Sequence, residues 1–137
     1  MLRAYVYAFA SNPSYFNFDS HSSLHDAWLE NLTVKEIASG ERNQVRHLEM
    51  HLCLIGPYHD RWIHLNYIGV AQYSFLTPPK YAEPRCRHNA HGDLLVHQVR
   101  LGQNRLLLHE LLLEGGSTVL IECADIKHSE ETIEACS

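Results

Sequence analysis

From His47 to Leu54 the chain alternates without a break. Leu48, Met50, Leu52 and Leu54 are apolar, with His47, Glu49, His51 and Cys53 set between them. Side chains on a strand point to opposite faces with a period of two, so this run has one apolar and one polar face when extended. Wound into a helix, the same four apolar residues would be scattered around the circumference. Gly56, Pro57 and Asp60 then bring turn chemistry, and Arg61 to Ile68 returns with Trp62, Ile63, Leu65 and Tyr67. The stretch from Gln44 to Phe75 therefore predicts a β-hairpin with one buried face, and the rest of the chain must cover that face.

The flanking segments read the same way. Leu2 to Phe9, rich in Tyr, Val and Phe, predicts a first strand, and Ser11 to Ser23 an ordered loop that packs its aromatics on the body. After Leu24-His25-Asp26, residues Trp28, Leu32 and Val34 share one parity and Leu29 and Ile37 the other, which implies a strand with a bulge near Glu30-Asn31. A helix from His25 to Ile37 competes, but the β-branched Thr33, Val34 and Ile37 favour the strand. Gly69 marks a bend before a strand from Val70 to Phe75, with Ala71, Tyr73 and Phe75 on one face. Alternation resumes from Asp93 to Leu101. Arg105 to Glu114 (RLLLHELLLE) would favour helix by propensity alone. Gly102 and Gly115-Gly116 bracket it at hairpin distance, however, and Ser117 to Ala124 is strand-like, so it too is expected to be extended.

Two segments lack periodicity. Residues 77–92, with three prolines and several basic side chains, form a long irregular loop of the kind that carries function. Residues 127–137 form a polar tail, with a short helix from Ser129 as an option. The fold class is thus all-β: an antiparallel meander of about seven to eight strands in a single domain spanning residues 1–137, closing into a barrel or folding into a sandwich.

With 137 residues and 45% hydrophobic content the chain can bury a core, which argues against intrinsic disorder. The formal charge of −5, without a basic run, gives no reason to expect nucleic acid as a partner. Cys53, Cys86, Cys123 and Cys136 form no C-x-x-C pair, so neither a zinc ribbon nor a disulfide framework is indicated; Cys53 and Cys123 fall in strands as ordinary thiols. The N-terminal apolar run is too short for a secretory signal and no stretch is long enough for a spanning helix, so no membrane partner and a cytoplasmic location are expected.

His47-x-Glu49-x-His51-x-Cys53 is the sharpest candidate for chemistry. On a strand these side chains leave one face, and His47, Glu49 and His51 suit zinc or iron, with His64 on the returning limb within reach for one register. The plainer alternative is a solvated polar face, which alternation demands in any case. His25-Asp26 and Tyr58-His59-Asp60 pair imidazole with carboxylate, as acid–base catalysis requires. Adjacent strand residues point apart, though, and Asp in a turn usually caps backbone N–H groups. His88, His91 and Asp93, with Cys86, form a further cluster. Tyr81, Arg85, Arg87 and His88 in the long loop are of the types that anchor protein interfaces. Among eleven histidines, His97 and His109 in the leucine-rich strands are those expected to be buried and neutral.

Leu24-His25-Asp26 with the strands after it, Ile68-Gly69-Val70 with Tyr73-Ser74, and Ile121-Glu122 with Asp125-Ile126 resemble small uncharacterised bacterial all-β families, some grouped with immunity proteins of polymorphic toxin systems. The resemblance spans Leu24 to Ile126 and implies a non-enzymatic module that binds another protein, or a copy of itself as a homodimer, without a cofactor. The rival expectations are a metal-dependent enzyme or metal-binding protein centred on His47, Glu49 and His51, and a barrel holding a small apolar ligand.

Overall fold

The computed structural model of the chain describes residues 23–77, 91–102 and 105–133. The expected strand at Leu2–Phe9 and nearly all of the loops at 11–23 and 77–92 lie outside these residues. Within them the protein is all-β, and no helix is present. Six strands run β1 (Trp28–Ser39), β2 (Val45–Ile55), β3 (Arg61–Leu76), β4 (Leu94–Leu101), β5 (Leu107–Leu113) and β6 (Thr118–Thr132). They form one antiparallel sheet in the order β1-β2-β3-β6-β5-β4.

That order departs from an uninterrupted meander at one place. After β3 the chain crosses to the far edge, and β4, β5 and β6 return inward until β6 pairs with β3. Two three-stranded meanders are thereby joined along their longest strands. The sheet is not closed by strand pairing, but its two edges meet at one corner. Asp26 N–H donates to Leu94 O (2.8 Å) and Leu94 N–H to Ala27 O (2.9 Å), while Leu24 and Ala27 are fully buried there. Two side chains reinforce this seam: His25 Nδ1–H donates to Leu95 O (2.8 Å), and Trp28 Nε1–H to Asp93 Oδ1 (2.6 Å).

The concave face follows from the alternation. Met50, Leu52 and Leu54 of β2 meet Ile63, Leu65 and Tyr67 of β3, and Leu107, Leu111, Val119 and Ile121 extend the same core across β5 and β6. The decapeptide that propensity would make helical is β5, paired with β6 across Gly115-Gly116. Seven of its ten residues are leucine or histidine, on a strand paired on both sides, so burial overrides helix propensity. The bulge expected near Glu30-Asn31 is present as a register shift between Leu29 and Asn31.

Gly69 does not end a strand. It bends one long strand, β3, with φ +63° and a register shift just beyond it. A Cβ at Gly69 would lie 3.0 Å from Ala124 Cβ on β6, so glycine serves both the left-handed backbone and the close approach. The helix envisaged from Ser129 is corrected: Ser129 to Thr132 continue β6, because β3 extends back to Arg61 and offers them a pairing edge. The polar tail thus begins later than residue 127.

Candidate functional site

Among the described residues two chains of titratable side chains cross the sheet, one on each face, joined by hydrogen bonds and, at Glu131, by a longer ion-pair contact. The inner chain begins with β5. Leu107, Leu111 and Leu113 point into the core, and His109 shares their parity, so the strand that buries its leucines must bury this imidazole as well. Tyr67 Oη lies 2.6 Å from His109 Nδ1, and His109 Nε2 lies 3.1 Å from His97 Nδ1 on β4. Each imidazole nitrogen of His109 is therefore paired, which offsets the cost of burying it. Desolvation, and then His97, holds His109 well below the ordinary histidine pKa. Burial likewise raises Tyr67 well above its usual value and pushes the Cys123 thiol up to about 12. Among the described residues the free thiols, Cys53 and Cys123, are buried, as expected of strand cysteines.

The outer chain lies across β2, β3 and β6. His51 Nε2 is 2.8 Å from His64 Nδ1, and His64 Nε2 is 3.5 Å from Glu131 Oε2. The register pairs Cys53 with His64 and His51 with Asn66, so the two histidines are diagonal neighbours on one face. Their ring planes are 13° apart with centroids separated by 5.0 Å. At the observed N···N distance this sets the rings end to end, each nitrogen aimed at the other. That is hydrogen-bond geometry, in which one ring donates and its neighbour accepts; two lone pairs converging on a third point would be needed for a metal. His51 has a lowered pKa through desolvation, then His64 and Lys35. A shallow depression of about 270 Å³ beside it is lined by Thr33, Lys35, Glu49, Met50, His51 and Asn66.

The three residues expected to bind metal are not gathered into one site. His47 is exposed opposite Ile37, Glu49 faces Lys35 across the β1–β2 pair, and His51 turns to His64. Among the described residues no group of three His, Cys, Asp or Glu side chains is placed to hold a metal ion. The other candidates fall out variously. His25 Nε2 lies 3.3 Å from Asp26 Oδ1, at the seam. His59 instead sets its ring against Trp28, and Asp60 accepts from Arg61 Nε at 3.2 Å. His91 Nδ1 meets Ser117 Oγ at 3.1 Å, and Asp93 is taken by Trp28. Tyr81, Arg85, Arg87, His88 and Cys86 lie outside the described residues.

Sequence reasoning did not find Glu131 behind His64, or Tyr67 beside His109, because both partners come from the β3–β6 and β3–β5 neighbourhoods that only the strand order creates. It also missed an apolar row on the convex face. Val96 is paired with Leu112, Leu112 with Thr118, and Thr118 with Leu76, so these four residues lie in line across four strands. Val96, Leu112 and Leu76 are 59%, 41% and 65% exposed. Beside the row, Arg100 and Glu110 form an ion pair on the same two strands.

No protein-family model and no curated protein matches this chain. No helix among the described residues is long and apolar enough to cross a membrane.

Proposed function

We propose that this protein is a non-enzymatic β-domain that binds another protein, or a second copy of itself, through the convex face of β3, β6, β5 and β4. One observation carries the reading: the row Val96, Leu112, Thr118 and Leu76. Period-two alternation puts polar residues on a solvated sheet face, and here three large apolar side chains stand in line on it. Desolvating such a row is what a partner surface gains from, while the flanking Arg100–Glu110 pair suits a polar rim. The resemblance to immunity-type families points to the same class, and with it to a bacterial cytoplasmic protein without a cofactor.

The test substitutes the row itself. Leu76→Glu with Leu112→Glu alters exposed positions and should leave folding stability within about 0.5 kcal/mol per site. Sedimentation velocity should show concentration-dependent association of the parent that the double variant loses. If association is with a different protein, a photo-reactive residue at position 112 should give one discrete cross-linked product in cells. That product should disappear with Leu76→Glu and be absent when the probe is at Glu36. A parent that is monomeric at all concentrations and gives no discrete product overturns the reading.

A further inference from the structure

We propose that the depression beside His51 is a binding site for a small α-amino acid, whose ammonium group donates to His51 Nδ1 and Glu49 and whose carboxylate is held by Lys35. The site lies on the β1–β3 part of the outer face, away from the apolar row. The inference therefore goes beyond the binding reading above and does not depend on it.

The outer chain fixes what His51 offers. One proton lies in each hydrogen bond, so the 2.8 Å contact between His51 Nε2 and His64 Nδ1 has two directions. If His64 Nδ1–H donated, a neutral His64 would turn a bare Nε2 towards Glu131 Oε2 at 3.5 Å, acceptor against acceptor. In the other direction His64 Nε2–H faces the carboxylate, His51 Nε2–H donates to His64 Nδ1, and each contact has a donor and an acceptor. His51 is then left with a lone pair on Nδ1. Burial, His64 and Lys35 all lower its pKa, so near pH 7 it stays neutral and that lone pair is kept. Among the described residues no protein group takes His51 Nδ1, and it is not sealed from solvent.

Around this acceptor the strand register lays out both signs of charge. Thr33, His51 and Asn66 are partners in one row across β1, β2 and β3, and Lys35 and Glu49 are partners in the next. These five residues and Met50 line the depression of about 270 Å³. Among the described residues Lys35 and Glu49 form no ion pair, and a pair so near the surface is weak enough for a ligand to part. A lone anion in the depression would meet Glu49, and a lone cation would meet Lys35. Ligand pockets commonly begin at roughly 300 Å³, so this one suits only a small molecule. An α-amino acid meets both conditions, because its ammonium and carboxylate sit on a single carbon. That spacing matches charges borne by directly opposite strand residues. Thr33 and Asn66, on either side of His51, each present a donor and an acceptor to the groups that remain.

The experiment is NMR of the intact protein at pH 8, following imidazole ¹⁵N and backbone amide shifts during titration with glycine, and separately with acetate and with methylammonium. Before any addition, His51 and His64 should both be in the Nε2–H form. Glycine should shift His51 Nδ1 and the amides of Thr33, Lys35 and Asn66 saturably, with a dissociation constant in the millimolar range, as suits a shallow site. Acetate and methylammonium, each carrying one charge, should bind at least tenfold more weakly. Glu49→Gln and Lys35→Met should each weaken glycine at least tenfold, while Glu36→Gln, on the other face of β1, should leave it unchanged. The proposal is overturned by a His51 in the Nδ1–H form, or by glycine producing no saturable shift at His51. Acetate or methylammonium binding as tightly as glycine overturns it too, as does glycine affinity that is unchanged in Glu49→Gln or in Lys35→Met. The parent titrations decide the matter even if a variant does not fold.

Discussion

At the scale of single residues, wholly buried His109 makes the fold sensitive to acid. Its folded pKa is depressed by burial and then by His97, below an unfolded value near 6.5. Above that value the group is neutral folded and unfolded, and it contributes no pH dependence. As pH falls below about 6.5 the unfolded chain binds a proton that the folded ring refuses, so stability drops. One proton of difference corresponds to a slope of about 1.4 kcal/mol per pH unit. The parent should melt at progressively lower temperature from about pH 6.5 downward, and His109→Gln should show a flatter profile even if it melts lower at pH 7.5. A parent profile as flat as the variant's would show that His109 is not the group responsible. Tyr67→Phe removes the partner of His109 Nδ1 in a site closed to water, and should cost about 1–3 kcal/mol in denaturant titrations. The outer face divides the metal candidates differently. His47→Gln, at an exposed position, should change stability by no more than about 0.5 kcal/mol. His51→Gln breaks the bond to His64 and should cost about 1 kcal/mol.

At the scale of elements, the bends and turns are where single substitutions reach furthest. Gly92 has φ +77°, and a Cβ there would come within 2.8 Å of Glu114 Cβ and 3.2 Å of Gly115 N. The strand entering β4 lies directly on the β5–β6 turn, held by Glu114 N–H to Asp93 O and Gly115 N–H to His91 O. Gly92→Ala meets both strain and backbone, and should destabilise by about 1–3 kcal/mol, with amide exchange fastest at Glu114 and Gly115. Much of this level was legible in the sequence. Met50, Leu52 and Leu54 announced β2, and the flanking glycines correctly outweighed the helix propensity of Arg105 to Glu114. The leucine-rich strands pointed to His97 and His109 as the buried histidines, but leucines stand on both parities of β5, so its pairing with β4 and β6 was needed to put His109 on the core face. What could not be read was any feature set by pairing between distant strands. His64 meeting Glu131, Val96 lining up with Leu76, and Ser129 to Thr132 extending β6 all depend on β3 choosing β6 as its neighbour, and alternation within a strand carries no information about that choice. His47, Glu49 and His51 share a face as alternation requires, but the same rule spaces them along it and leaves convergence to neighbouring strands.

At the scale of the whole molecule, the corner where the sheet's edges meet joins the start of β1 to the start of β4. Trp28→Phe keeps the ring and removes the donor to Asp93, so amide exchange at Asp26 and Leu94 should accelerate while the centre of β3 is unaffected. The strand order has a kinetic consequence as well. β1, β2 and β3 need only short turns to find one another, and so do β4, β5 and β6. The seam between these halves joins Leu76 to Thr118 at its nearest and Arg61 to Thr132 at its farthest, and it cannot form until the intervening chain has been closed into a loop. Closing that loop costs entropy before any of the seam's contacts are gained, which places the β3–β6 encounter at the folding barrier. Each half would then exist briefly as a curved ribbon with its longest strand unpaired, an edge open to the matching strand of another molecule. The same pairing that unites one chain is the route by which two chains, folding side by side at high concentration, would exchange halves.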